Sequence, residues 1–124
     1  MSKFVKVQTQ LRDLALIKRS LDDLRLAYTE DAEYHHIYSG RREQVPLLVE
    51  SGRLKFGLRK GEDDAYEVVA DDMILAKIRV AMQGVQQRYA YHKVLEETEK
   101  AGFALVEENV GQDQVIRMTV RRWK

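Results

Sequence analysis

The chain contains no cysteine. That absence removes thiol catalysis, disulfides, zinc–thiolate sites and cysteine-held iron–sulfur clusters, so no redox centre can be built from cysteine. An excess of either charge is also missing. With 21 basic against 20 acidic residues the formal charge is only +1, and bulk electrostatics names no partner. The opening Met1-Ser2-Lys3-Phe4-Val5-Lys6-Val7-Gln8 is interrupted by lysine and glutamine and has no apolar core of signal-peptide length. No later run approaches a membrane span. A cytosolic protein without membrane contact is expected. A Walker-type lysine loop, a dinucleotide fingerprint and a nucleophile elbow are absent too, so no cofactor is implied and an enzyme is unsupported.

What is present suits a globular domain. The 124 residues are 44% hydrophobic and 33% charged. A chain of this size can remove roughly two-thirds of its unfolded surface from water without metal or disulfide staples. There is no linker, internal repeat or low-complexity tract, so residues 1–124 read as a single domain.

Residues 4–11 alternate Val5, Val7, Thr9 and Leu11 with Lys6, Gln8 and Gln10, the period-two pattern of a strand with one buried face. Asp13 can then cap a first helix over residues 13–26, with Leu14, Ile17, Leu21 and Leu24 on its inner side. Strands are predicted at 32–38, 45–50, 54–59 and 66–70. The single proline, Pro46, lacks the amide hydrogen of a central strand, which puts the 45–50 segment at a sheet edge or starts it at Leu47.

A second, long helix starts near Asp71 or Asp72 and stops at Gly102. Ile78, Met82, Val85 and Tyr89 share one face, whereas Tyr91, Val94, Leu95 and Thr98 lie on nearly the opposite one. A kink or break near Gly84, burial on two sides within the fold, or packing of half the helix against another subunit each accounts for that change. A hairpin over 103–108 and 115–123 closes the chain, with Ile116, Met118 and Val120 inward and Arg117, Thr119, Arg121 and Trp123 outward. The fold class is α+β, a largely antiparallel sheet with two main helices in the order β-α-β-β-β-β-α-β-β.

Four stretches carry a family resemblance: Met1-Ser2-Lys3-Phe4, Gln10-Leu11-Arg12-Asp13-Leu14, the helix from Gln87-Arg88-Tyr89-Ala90-Tyr91 to Glu97-Thr98-Glu99-Lys100-Ala101-Gly102-Phe103, and the ending Arg121-Arg122-Trp123. Together they resemble the small conserved reading-frame family of cyanobacteria and algal plastids, also found in other bacteria, a domain of unknown function. The likeness covers nearly the whole chain, with residues 41–73 matching poorly. It implies a soluble cytoplasmic or stromal protein and no catalytic residue. Relatives encoded near ferredoxin-like and ATPase genes imply an accessory role.

Candidate sites stand beside simpler accounts. His35 and His36 leave a strand on opposite faces and cannot jointly chelate one ion, so no metal is assigned. Tyr34, His36 and Tyr38 share a face that could hold a planar ligand or a catalytic group, although an ordinary half-buried sheet face is simpler. His92, Glu96 and Glu99 follow a helical spacing open to a cation, against the simpler reading of solvated charges. Asp71-Asp72, Glu96-Glu97 and Glu107-Glu108 are neighbours in sequence and give no acid–base pair across a cleft. Arg117, Arg121 and Trp123 combine phosphate contact with stacking, as small RNA binders do. Leu47, Leu48 and Val49 on the predicted edge, with Tyr91 and Leu95 on the second helix, are candidates for protein association. The reading preferred is a non-catalytic accessory or assembly protein bound to a protein partner or to copies of itself. An RNA-binding domain and a ligand-binding or catalytic protein are the alternatives.

Overall fold

The computed structural model describes residues 2–110 and 115–122. Its element order is the expected one: β1 (Phe4–Gln8), α1 (Leu14–Asp23), β2 (Tyr28–His36), β3 (Arg41–Ser51), β4 (Leu54–Lys60), β5 (Tyr66–Asp71), a 3-10 turn (Asp72–Ile74), α2 (Leu75–Lys100), β6 (Phe103–Val110) and β7 (Ile116–Arg122). The fold is α+β. β1 to β5 form an antiparallel sheet in the order β1-β5-β4-β3-β2, and β6 and β7 form a separate two-stranded sheet.

Local chemistry explains the helix ends. The Asp13 carboxylate accepts from the N–H groups of Ala15 and Leu16 at 3.0 and 3.3 Å, capping α1. α1 closes earlier than expected, at Asp23, because Arg25 adopts a left-handed φ of 57° and turns the chain toward β2. Leu16, Ile17 and Leu21 go inward. Ile17 and Leu21 meet Leu47, Val49, Phe56, Leu58 and Val68 from the sheet and Ile78, Met82 and Val85 from α2. Each such side chain contributes about 1.5–3 kcal/mol on full burial.

β3 lies between β2 and β4, so the edge expected there is at β1 and β2 instead. The register shows how an interior strand tolerates Pro46. Glu30 pairs with Leu47 and Ala32 with Val45, which leaves Asp31 and Pro46 facing each other outside the ladder, with Asp31 at a φ of 50°. On the other side, pairing with β4 begins only at Leu47 and Leu58. The missing amide falls where neither neighbour uses it, at a local irregularity. Two positions apart, Val45 and Leu47 join different apolar clusters, so the strand changes phase across the proline.

The sheet is strongly curled. At about 4.8 Å per strand its two edges would stand about 19 Å apart if flat. Instead Phe4 on β1 lies 6.2 Å from Tyr34 and 5.9 Å from His36 on β2, ring to ring. Tyr34, Val45, Leu48 and Val69 are buried inside this curl, a second small core without a helix.

α2 runs unbroken through Gly84 for 26 residues, which removes a break as the cause of its change of face. Gly84 serves close packing, since a Cβ there would lie 3.1 Å from Leu24 Cδ1 at the end of α1. The change of face reflects two packing partners: the main sheet and α1 for the first half, the β6–β7 hairpin for the second.

Candidate association surfaces

α2 ties the molecule together through side chains of the Arg88-to-His92 stretch. Tyr89 turns to the main body, where its hydroxyl accepts from the N–H groups of Arg12 and Asp13 at 3.2 and 3.0 Å. Those groups precede the first turn of α1 and would otherwise lack a partner. One oxygen of Asp23 receives Arg88 Nε at 2.9 Å and His92 Nε2 at 2.6 Å. Burial pushes the Asp23 carboxyl up, but hydrogen bonds and charge from His92 and Arg88 outweigh it and leave it below the ordinary value. The Arg88 guanidinium lies 4.2 Å over the Tyr91 ring, and Tyr91 donates its hydroxyl to Glu108 at 2.6 Å. That bond, followed by burial, raises the Tyr91 hydroxyl above its usual range. His92 is thus committed to Asp23 and Glu96 pairs with Lys100 at 3.3 Å, so the helical cation spacing is used by ordinary charge pairs.

Beyond Tyr89, α2 has no fully buried residue. Tyr91 and Leu95 are half-buried and Val94 is 39% exposed. With Val115, Ile116 and Met118 of the hairpin, Tyr91 and Val94 line an apolar groove of about 310 Å³. The other association candidates lie elsewhere, for Leu47, Leu48 and Val49 are buried in the curled sheet. Their apolar run marks a central strand.

A longer groove lies between the edge strand β1 and the outer side of α2. Its narrow part, about 230 Å³, is floored by Val7, Val68, Ile78 and Met82. It continues past Gln8, Thr9 and Gln86 into a wider part of about 840 Å³ beside Leu11, Tyr89 and Lys93. Gln8, Gln10, Gln83 and Gln86 stand exposed along it. The glutamines at alternating positions of a strand and three apart on a helix were the signal available in the sequence. Amides carry no charge pattern, so that spacing is weak on its own.

Tyr34, His36 and Tyr38 are split by the curl. Tyr34 and His36 are buried, whereas Tyr38 is 74% exposed, with its ring 6.2 Å from His36. Phe4 and the Arg41 guanidinium, 4.8 Å over the Phe4 ring, cover the face instead. Both His36 nitrogens are engaged: Nε2 with Asp71 at 3.0 Å and Nδ1 with Ser39, whose hydroxyl lies at 2.6 Å and N–H at 3.2 Å. Because the Ser39 N–H can only donate, Nδ1 accepts and Nε2 carries the hydrogen toward Asp71. Ser39, His36 and Asp71 form a hydrogen-bonded chain that locks the β2–β3 turn to β5. Phe4 and Asp71 come from distant strands and reach His36 only through the curl, whereas Ser39 follows it by three residues in the turn.

Farther along the sheet Arg59 bonds Glu43 at 2.6 Å and Glu67 at 2.7 Å. No buried side-chain nitrogen or oxygen among the described residues lacks a partner. The described residues contain no cluster of three metal-ligating side chains and no helix long and apolar enough to cross a membrane. Arg117 is exposed opposite Asn109, while the Arg121 side chain and Trp123 lie outside the described residues.

The chain has relatives along its whole length. It is 30% identical over 126 residues to "Uncharacterized protein ycf35" of Pyropia yezoensis, covering 99% of this chain and 98% of that one. A protein of the same name from Guillardia theta is 30% identical over 132 residues, covering 100% and 99%. That of Cyanophora paradoxa is 27% identical over 128 residues, covering 100% and 99%. No solved structure matches. Residues 20–119 match the family described as protein of unknown function (DUF1257), and the chain belongs to that family.

Proposed function

We propose that this is a small soluble accessory or assembly protein that acts by associating with another protein rather than by turning over a substrate. Its place is the cytoplasm, or the stroma in a plastid. The observation that carries this reading is the apolar surface that the described residues leave exposed in the arm where the second half of α2 meets the β6–β7 hairpin. A two-stranded hairpin is marginal in water unless a third strand or a helix covers its apolar face. Here a helix supplies that cover with half-buried residues alone, leaving Val94 and Val115 39% and 46% exposed. A partner seated on Tyr91, Val94 and Leu95 would cover this surface of the arm.

The test is affinity purification of the tagged protein from its native cells beside a Val94→Glu variant. Val94 sits at the surface, so the variant keeps its fold, which circular dichroism checks. The reading expects a stoichiometric protein with the wild type that is lost with the variant. The same partner in equal amount with both would overturn it.

A further inference from the structure

We propose that the open edge of β1, with the groove between it and α2, binds an extended segment of another protein in which apolar and acidic residues alternate. The backbone supplies the template. In an antiparallel ladder, hydrogen-bonded pairs alternate with non-bonded ones. Asp72 N–H donates to the Lys3 carbonyl at 2.9 Å and Thr9 N–H to the Tyr66 carbonyl at 3.1 Å, which turns Lys3, Val5, Val7 and Thr9 toward β5. The N–H and C=O groups of Phe4, Lys6 and Gln8 therefore point away from β5. Among the described residues β1 is an edge of the sheet, so these groups are available to a further strand.

The flanking side chains select which strand fits. Val5 and Val7 pack into the helix-side core and Phe4 into the opposite cluster, so Lys6 lies on the face away from the helices. A strand added beside β1 alternates in the same way. Its residues on the helix side enter the apolar groove over Val7, Ile78 and Met82, and its residues on the far side stand beside Lys6. Apolar side chains satisfy the first set and carboxylates the second.

The groove also carries more basic than acidic side chains. Its lining contributes Arg79 and Lys93 against one acid, Asp63, whose carboxylate already accepts the Ala65 N–H at 3.2 Å. In a chain whose formal charge is +1, this is a local basic excess. A second copy of the chain fits less well in the register centred on the strand. β1 paired antiparallel with itself about Lys6 would set two lysines opposite each other, a repulsive arrangement. From Leu75 to Lys93 the lining follows α2 for about 27 Å. That is room for about eight residues of extended chain.

The groove meets the arm at Ala90 but includes none of Tyr91, Val94, Val115, Ile116 and Met118, so either surface can fail without the other. The test uses fluorescein-labelled synthetic peptides in anisotropy titrations of the full chain, with backbone amide shifts read by NMR. One peptide alternates valine with glutamate, a second valine with lysine, and a third is the first with alternate amides N-methylated. The first is expected to bind and to shift the amides of Phe4, Lys6 and Gln8. The lysine and N-methylated peptides are expected not to bind. Lys6→Glu, an exposed position whose folding a thermal melt verifies, should weaken binding at least about tenfold. Val94→Glu should bind like the wild type. Failure of the glutamate peptide to bind, equal binding of the lysine peptide, unchanged affinity in Lys6→Glu, or shifts away from β1 would each overturn the proposal.

Discussion

Phe4 and His36 hold their rings 5.9 Å apart although they belong to opposite edge strands of a five-stranded sheet. Phe4 closes the curl, shielding Tyr34 and His36 from water on a face that no helix covers. Phe4→Ala is expected to destabilise the fold by about 3 kcal/mol, the low end for such truncations because Phe4 is only half-buried. Urea unfolding monitored by circular dichroism measures the loss. A change within a few tenths of a kcal/mol would show that the curl does not depend on this ring.

The same corner sets an acid limit on stability. Burial pushes the Asp71 carboxyl up, but the Met73 N–H, His36 and Ser2 outweigh it and hold it below its ordinary 3.8. Between the lowered folded value and 3.8 the unfolded chain binds the extra proton. The contribution of Asp71 is therefore present above about 3.8 and lost as pH falls through the folded value. Wild-type stability should drop across that window more than that of Asp71→Asn, as followed by urea midpoints at stepped pH. Parallel curves for the two proteins would contradict the assignment.

Tyr34 gives the opposite, alkaline signature. Burial, with the negative charge of Asp71, pushes its hydroxyl up to about 12. The folded state then holds a proton that the unfolded state loses near 10, so stability present below 10 is lost as pH rises toward about 12. The Tyr28, Tyr66 and Tyr91 hydroxyls are raised as well, so ultraviolet titration of the folded protein should show several late tyrosinates, of which Tyr34→Phe removes the step at about 12. A Tyr34→Phe curve that keeps that step would assign it elsewhere.

Gly57 is fixed by space rather than by a special backbone. A Cβ at this position would stand 2.8 Å from Val69 Cγ2 and 2.9 Å from Val45 Cγ1, both in the inner cluster of the curl. Gly57→Ala should cost about 1–3 kcal/mol through overpacking. A second change, Val45→Ala, should recover part of it, and thermal melts of the single and double variants measure that coupling. Additive effects would mean that the two side chains do not collide.

Much of this fold was legible because its signals are local. Alternation in residues 4–8, the Asp13 cap and the spacing of Ile78, Met82 and Val85 each depend on neighbours within a few residues. The position of β3 was not legible. Pro46 argued for an edge on hydrogen-bond grounds, and only the unpaired Asp31 opposite it, set by tertiary register, makes an interior proline acceptable. The change of face in α2 was visible as a pattern, but its cause, a hairpin on one side and the main body on the other, is long-range. Tyr91 and Leu95 remain half-buried, whereas Leu47, Leu48 and Val49 are buried in an interior strand, a difference hidden in sequence because apolar residues in a central strand and in an exposed edge look alike. The β1 groove needed the sheet order, since nothing in residues 4–8 says that no strand lies beyond them.

Association with a protein is the central claim, and quantitative mass spectrometry of the tagged wild-type chain purified at low salt from its native cells tests it most directly. Half of the sample is treated with nuclease. The account predicts a protein present in stoichiometric amount in both halves. Material that disappears with nuclease, with no stoichiometric protein left, would contradict it and move the function to nucleic acid.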